Sequence, residues 1–170
     1  LAADYFWETL YNPYSGVERF KPLAFDKLKD AFEIIMDGNQ DALLSWMDDN
    51  HKNLNSRLPL VTGDSLLINW IKHRTNLLQR LPKIELAERL RQAIILLVQK
   101  VPKQVNITDF KGQTPLMLMA EAGDTELVRV MLISGADPDM QDWQGMTALH
   151  SAIKSRVNSC VDALLDHPCL

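Results

Sequence analysis

Two segments of the chain carry the same pattern 33 residues apart. The first reads Asp109-Phe-Lys-Gly-Gln-Thr-Pro-Leu-Met, and the second reads Asp142-Trp-Gln-Gly-Met-Thr-Ala-Leu-His. Further along, Val128 and Val161 are identical at this spacing, as are Leu132 and Leu165. A fixed period of this length is typical of stacked helical units, each of which buries its apolar face against a neighbour.

Local signals divide each unit into two short helices. Thr114 followed by Pro115 predicts a helix start, since Thr caps a helix and Pro suits its first turn. Gly123 predicts the end of this helix. A second apolar run, residues 127–133, is followed by Ser134 and Gly135, which predict another helix end.

The repeated openings, together with the tail Gly135-Ala-Asp-Pro-Asp139, resemble the ankyrin repeat, whose matching segments read Thr-Pro-Leu-His and Gly-Ala-Asp-Val-Asn. The resemblance implies an all-α ankyrin-repeat solenoid of stacked helix-turn-helix units, with β-turn or hairpin fingers and an atypical N-terminal cap. It also implies non-catalytic recognition of a protein partner.

Weaker copies of the pattern lie upstream. Pro102-Lys-Gln-Val-Asn106 occupies the place of the Gly-Ala-Asp-Val-Asn tail, and residues 63–71 resemble the helix opening. Gly63 precedes Gly112 by 49 residues, so this unit is predicted to carry extra residues around 74–90, between its helices or in a lengthened second helix. Residues 38–47 resemble the stretch that begins at Gly123. The predicted repeats are 25–58, the enlarged 59–107, 108–140 and 141–170.

Aromatic residues are concentrated at the beginning of the chain. Eight of the twelve lie within the first 32 residues, and residues 1–20 have no ankyrin register. Residues 1–24 are therefore predicted to form an aromatic N-terminal cap or arm. Two interpretations stay open: the segment covers the exposed end of the first repeat, or it docks a partner. The opening at Leu1 and the end just past a helix predict neighbouring domains or repeats.

Composition and motifs argue against a catalytic or metal-binding site. The four histidines and two cysteines show no metal-ligand spacing, and no phosphate-binding Gly-rich loop or nucleophile motif occurs, so no cofactor, metal or catalytic residue is expected. By the resemblance, His150 ties neighbouring loops together. The acidic loop from Asp137 to Asp142 lacks an EF-hand pattern and is expected to bind backbone amides.

The apolar run at residues 93–98 is too short to span a membrane, and membrane insertion is not expected. Two cysteines do not make a disulfide framework, which favours a reducing compartment. A cytoplasmic protein is expected, with a secreted bacterial effector delivered to a host cytosol as the alternative.

Charge is distributed unevenly along the chain, whose net charge is −4. Residues 72–103 carry a balance of +6, and residues 121–142 carry −5. Solvated helix faces and steering of a charged partner both explain this distribution. Nucleic-acid binding through residues 72–103 is a weaker alternative, because the overall balance is acidic.

The resemblance also assigns a binding surface. The predicted partner-binding residues in the finger turns are Phe110, Lys111, Gln113, Trp143, Gln144 and Met146, and those in the concave groove are Glu121 and Lys154. Phe110 and Trp143 occupy equivalent turn positions and are expected about 10 Å apart, the thickness of one helix layer. Each ring either anchors a partner or lies on the adjacent hairpin and stiffens it.

These predictions lead to two hypotheses beside nucleic-acid binding. The first is a protein–protein interaction module that uses its finger tips and concave face. The alternative is a regulatory or substrate-recruiting domain of a larger enzyme, effector or toxin.

Overall fold

The computed structural model describes residues 23–50, 54, 64–80 and 84–166. Within these ranges the chain forms eight α-helices, one 3₁₀ helix and no strand, which confirms the all-α prediction. The helices are α1 (Leu23–Asp37), α2 (Gln40–Asp49), α3 (Leu66–Arg80), α4 (Ile84–Lys100), the 3₁₀ helix (Pro102–Asn106), α5 (Pro115–Ala122), α6 (Thr125–Ile133), α7 (Ala148–Ser155) and α8 (Asn158–Leu165). Residues 1–22 of the predicted arm lie outside the described residues, and the predicted repeat boundaries stay predictions.

The sequence signals for α5 and α6 are confirmed. The Thr114 hydroxyl accepts a hydrogen bond from the Met117 amide at 3.2 Å, and Pro115 opens α5. Gly123 ends α5 in the left-handed region at φ 74°. Asp124 then caps α6, since its carboxylate accepts from the Leu127 amide at 3.1 Å. The short helix pair therefore begins and ends where side chains and a glycine satisfy the free backbone groups.

The turn between α1 and α2 is built in the same way. Gly38 lies at φ 73°. Asn39 caps α2 by accepting from the Ala42 amide at 3.0 Å. These two residues do for the first helix pair what Gly123 and Asp124 do for α5 and α6, which confirms the predicted likeness at this turn.

The second helix pair is longer than the others. Helices α3 and α4 have 15 and 17 residues, whereas α5 and α6 have 8 and 9. The extra residues were predicted between the helices or in the second helix. In the structure both helices of the pair, α3 and α4, are lengthened. The repeat register predicts that Trp70 fills the core and that His73 reaches the groove. Trp70 is buried, which confirms the first prediction. The second is wrong, because His73 is buried and its ring packs edge-on against Phe32 of α1, with centroids 5.6 Å apart.

The helices stack in two rows. In one row α3 packs on α5 and α5 on α7; in the other, α4 packs on α6 and α6 on α8. Both α1 and α2 pack on α4. One apolar cluster continues from Leu28 in α1 to Leu164 in α8. The stack therefore has a single core that every helix pair extends.

A buried arginine joins the lengthened pair to the next one. The Arg74 guanidinium lies 2.7 Å from the Asp124 carboxylate. Its Nε donates to the Ala87 carbonyl at 3.2 Å. Because Asp124 also caps α6, this one side chain fixes α3, α4 and α6 relative to one another. Removing one member of such a buried pair leaves an uncompensated charge, which typically costs about 3–5 kcal/mol.

The outward face of α7 and α8 has no described helix packed on it. Leu132 of α6 is 4% exposed, whereas Leu165, its equivalent in α8, is 65% exposed. Likewise Ala120 of α5 is buried and Ile153 of α7 is exposed. Burial of equivalent positions thus depends on the next helix pair rather than on the residue itself.

Replacing each of these two leucines by Ala tests the stacking order. Leu132→Ala should lower the free energy of unfolding by about 2–5 kcal/mol, because it removes buried methyl groups and leaves a cavity. Leu165→Ala should change it by less than about 0.5 kcal/mol. Urea unfolding followed by circular dichroism measures both. Equal losses would mean that Leu165 is covered in solution.

Burial gives His73 a pH-dependent effect on stability. Burial lowers the pKa of His73 from 6.5 to about 4. The unfolded chain therefore binds the proton more tightly, so stability is complete above the unfolded pKa and is lost as pH falls toward the folded pKa. Between about pH 7 and pH 5 the loss should be about 2 kcal/mol.

The matched variant His73→Phe keeps a ring against Phe32 and does not titrate. It should lose this part of the pH dependence, whatever its stability at neutral pH. Urea unfolding at both pH values compares the two proteins. The same decline in both would show that other groups cause it.

Candidate functional site

Two tight turns, which we call the finger tips (residues 110–113 and 143–146), lie at the surface between helix pairs. In the first, the Asp109 carbonyl accepts from the Gly112 amide at 3.1 Å. The Asp109 carboxylate accepts from the amides of Lys111 and Gln113 at 2.8 and 2.9 Å. Because one carboxylate satisfies two amides, the turn is held without help from a partner.

The second turn repeats this geometry 33 residues later. The Asp142 carbonyl accepts from Gly145 at 2.9 Å. Its carboxylate accepts from the amides of Gln144 and Met146 at 2.8 and 2.9 Å. The repeated Asp and Gly thus have a structural role, and the residues between them are free to vary.

The structure places the eight predicted partner-binding residues at or near the surface. Phe110, Lys111, Glu121, Trp143, Gln144 and Lys154 are exposed, and Gln113 and Met146 are half-buried. Six of the eight therefore have solvent-facing side chains, four of them in the finger tips.

Phe110 is 51% exposed and lies beneath two ammonium groups. The Nζ atoms of Lys72 and Lys111 are 5.4 and 5.6 Å from its ring centroid, within the range of a cation–π contact. Lys72 also lies 3.0 Å from Asp64 and 2.9 Å from Asp109. The ring is thus positioned by a lysine that two buried carboxylates hold in place.

Trp143 lies against the finger tip of the preceding unit and is still 78% exposed. Its amide donates to the Lys111 carbonyl at 3.1 Å. A Cβ atom added to Gly112 would lie 2.7 Å from Cδ1 of the indole. The two finger tips are therefore in direct contact, and Trp143 packs against its neighbour with one part of its ring while the rest faces solvent.

The two groove residues bind each other. Lys154 Nζ lies 2.7 Å from the Glu121 carboxylate. The hydrogen bond to Glu121, together with its negative charge, raises the pKa of the Lys154 amine. Since both side chains are exposed, the pair adds little to stability and can be opened by a partner.

The basic segment at residues 72–103 is largely paired with carboxylates. Lys72 and Arg74 bind aspartates of later elements. Arg91 pairs with Glu88 at 3.4 Å and with Glu126. Arg89 binds Glu85 at 2.6 Å, and Lys100 binds Asp48 at 2.8 Å. Arg74 and Arg91 pair with Asp124 and Glu126 of the acidic segment, whereas the other cations pair with carboxylates outside it. The basic segment therefore has fewer free cations than its balance of +6 indicates.

Two features of the structure have no counterpart in the sequence predictions. An open apolar groove of about 550 Å³ lies between the α1–α2 turn and α4, with Ile34, Leu43 and Leu96 among its lining residues. The Asn106 side chain joins consecutive loops, donating to the Gly135 carbonyl at 3.1 Å and accepting from the Asp137 amide at 2.9 Å. The position of Asn106 at the end of a Gly-Ala-Asp-Val-Asn-like tail was the available signal for this link.

His150 differs from its expected role. Its Nδ1 accepts from the Thr147 amide at 3.1 Å and therefore caps its own helix, α7. In the acidic loop, the Asp137 carboxylate accepts from the Asp139 amide at 2.9 Å, as expected for a carboxylate that binds backbone amides.

Among the described residues, no three His, Cys, Asp or Glu side chains are arranged to hold a metal ion. None of the described helices combines the length and apolar character needed to cross a membrane.

Alanine at the two turn glycines separates backbone strain from contact between the finger tips. Gly112 and Gly145 have φ of 78° and 75°, where a side chain costs roughly 1–2 kcal/mol. A Cβ at Gly145 meets nothing within 4 Å, whereas one at Gly112 meets Trp143. Gly112→Ala should therefore lower the melting temperature more than Gly145→Ala, and adding Trp143→Ala should shrink the difference. Equal losses in every background would contradict the packing of Trp143 on this turn.

A family model described as ankyrin repeats (3 copies) matches residues 84–169. The chain is 51% identical over 51 residues to an L-asparaginase of Dirofilaria immitis, covering 30% of this chain and 9% of that protein. It is 38% identical over 64 residues to the B-cell lymphoma 3 protein homolog of Mus musculus, covering 38% of this chain and 14% of that protein. It is 42% identical over 57 residues to Rabankyrin-5 of Homo sapiens, covering 34% of this chain and 5% of that protein.

The chain thus spans 14% or less of the length of these relatives. Because the family model covers half of the chain, residues 84–169, and because the same residues stack as helix pairs joined by finger turns, the chain belongs to the ankyrin-repeat family.

Proposed function

We propose that the chain is a non-catalytic module that binds a protein partner through its finger tips and concave face. Ankyrin repeats are generally protein–protein interaction modules, and the family is typically non-catalytic. The observation that carries the proposal for this chain is the exposure of Phe110 and Trp143, 51% and 78%, on turns whose backbones are already fixed.

Aromatic side chains on fixed turns favour binding for two reasons. Each ring offers a large apolar area with few rotatable bonds, so little side-chain entropy is lost when a partner covers it. The turns are closed by their own aspartates before any partner arrives, which lowers the ordering cost of association. Phe110 and Trp143 are therefore the proposed anchors, and Lys111, Gln113, Gln144 and Met146 surround them.

The groove supplies the polar part of the proposed surface. Glu121 and Lys154 already satisfy each other, so a partner gains affinity here only by offering charges that replace this pair. Such rim contacts affect association rate and selectivity more than affinity. The proposed division is thus anchoring by the finger tips and discrimination by the groove.

A second candidate function is a regulatory or substrate-recruiting domain within a larger enzyme or effector. One relative is named L-asparaginase, and the chain matches only 9% of it, so a segment like this one occurs within a longer polypeptide that carries an enzyme's name. Reading the coding sequence on both sides of this chain tests the candidate. An adjoining catalytic domain would support it, and a complete reading frame without one on either side would contradict it.

Nucleic-acid binding through residues 72–103 is a weaker candidate. Five of its cations already bind carboxylates of this chain, which reduces the charge available to phosphates. Binding of this kind would weaken steeply with salt concentration.

A cytoplasmic location is proposed, with delivery of a secreted effector to a host cytosol as the alternative. The buried Cys160 thiol forms no disulfide, which agrees with a reducing compartment in both cases.

Partner capture with a finger-tip double variant tests the main proposal. Phe110→Ala/Trp143→Ala should lose the proteins that the wild-type chain captures, because both anchors are removed. Its melting temperature should change little, since both rings are largely exposed. Quantitative mass spectrometry of the captured proteins and thermal unfolding give the two readouts.

The matched control removes two exposed apolar side chains elsewhere. Leu78 and Ile133, 47% and 85% exposed, lie on α3 and α6. Leu78→Ala/Ile133→Ala should capture the same proteins as the wild type. Unchanged capture by the finger-tip variant, or equal loss by the control, would contradict the proposed surface.

A further inference from the structure

We infer that the finger tips select an acidic partner segment, in which an Asp or Glu side chain binds Lys111 while apolar side chains beside it cover Phe110 and Trp143. This inference rests on the proposed function and adds the chemistry of the partner. Three observations support it: the order of the side chains on the surface, the absence of a carboxylate partner for Lys111, and the burial of the nearby acids.

Lys111 lies between the two exposed rings. Its ammonium group is 5.6 Å from the Phe110 ring centroid. Its carbonyl accepts the Trp143 amide at 3.1 Å. The Trp143 indole lies on Gly112, the residue that follows Lys111. The residue that carries the cation therefore lies between the two rings, with its ammonium group on Phe110 and its backbone beside Trp143.

Lys111 differs from Lys72, the other cation on the Phe110 ring. Lys72 is held by Asp64 and Asp109 at 3.0 and 2.9 Å. Within the described residues no carboxylate lies in ion-pair range of Lys111, and its described interaction is with the ring. A partner carboxylate can therefore approach Lys111 without displacing an existing ion pair.

The acids that balance these lysines do not face solvent. The side chains of Asp64 and Asp109 are 2% and 1% exposed. The other finger-tip residues, Phe110, Gln113, Trp143, Gln144 and Met146, are neutral. Asp142, beside the second finger tip, is half-buried, and its carboxylate accepts from the amides of Gln144 and Met146. A partner at the finger tips therefore meets a cation among apolar and neutral side chains. A basic partner segment would meet Lys111 with like charge, which disfavours it.

Covering the rings strengthens the selection. Apolar side chains that pack on Phe110 and Trp143 exclude water around Lys111, and charges attract more strongly as the local dielectric constant falls. A lysine supported by a ring is also less costly to desolvate than an isolated one. The apolar and acidic parts of the partner are therefore required together, next to each other in the segment.

A single-stranded nucleic acid is the competing occupant, since bases stack on aromatic rings and phosphates bind lysine. Arg74, Arg89 and Arg91 are already paired with carboxylates. Successive phosphates would need several free cations, whereas the acidic peptide needs only Lys111, and this difference favours the peptide. Both probes are part of the test.

Selection from a displayed library of random short peptides, with the full chain as bait, tests the inference. Peptides enriched by the wild type should carry Asp or Glu next to aromatic or aliphatic residues. Lys111→Glu should enrich Lys or Arg at the same place. The chosen acidic peptide, made synthetically, should bind Lys111→Glu at least about tenfold more weakly than the wild type, with affinity that falls as salt is added.

Arg129→Glu is the matched control, because Arg129 is an exposed cation on α6 and the charge change is the same. It should keep the acidic preference and the peptide affinity. A neutral or basic consensus from the wild type, or a consensus unchanged by Lys111→Glu, would overturn the inference. Tighter binding of a labelled single-stranded oligonucleotide than of any enriched peptide would overturn it as well.

The finger-tip double variant separates this inference from the proposed function. If Phe110→Ala/Trp143→Ala abolishes enrichment but no acidic preference is found, the surface stands and the stated chemistry fails. If the wild type enriches no peptide above the level of the double variant, the proposed surface fails and the inference fails with it.

Discussion

Each helix pair that the structure describes depends on burial of its apolar face against a neighbouring pair. Neither helix of a pair such as α5 and α6, with 8 and 9 residues, is long enough to be stable alone in water. The contrast between buried Leu132 and exposed Leu165 shows that the neighbour, and not the residue type, removes the side chain from water. The finger turns depend on the same stacking, because each turn connects two successive helix pairs whose separation is fixed by their packing.

The lengthened second pair adapts this arrangement to an irregular first unit. Both α1 and α2 pack on α4, and the ring of Phe32 contacts His73 of α3. Buried Arg74 ties the same pair to the cap of α6 through Asp124. The polar groups of these units are used mainly to fix helices to one another. Solvent-facing aromatic area is left at the finger tips, whose backbones Asp109 and Asp142 have already closed.

The parts predicted from the sequence are those fixed by local chemistry. The Asp–Gly turns, the Thr114 cap and the Gly123 helix end each need a particular residue at one backbone position, so a 33-residue echo was enough to find them. The length of α3 was not predicted, because an insertion between two repeat motifs does not reveal which helix contains the extra residues. His73 was misplaced because the repeat register does not hold where Trp70 fills the core.

Contacts between distant residues were harder to predict. Arg74 and Asp124 are 50 residues apart, and their pairing exists only in the folded stack. Glu121 and Lys154 were a predictable pair, since opposite charges at equivalent positions of adjacent repeats come close.

The most direct test of recognition at the finger tips follows the indole N–H signals of 15N-labelled protein during addition of a captured partner. Trp143, assigned with Trp143→Phe, should shift or broaden while Trp46 and Trp70 do not. An unchanged Trp143 signal at saturation, with shifts elsewhere, would contradict recognition at the finger tips.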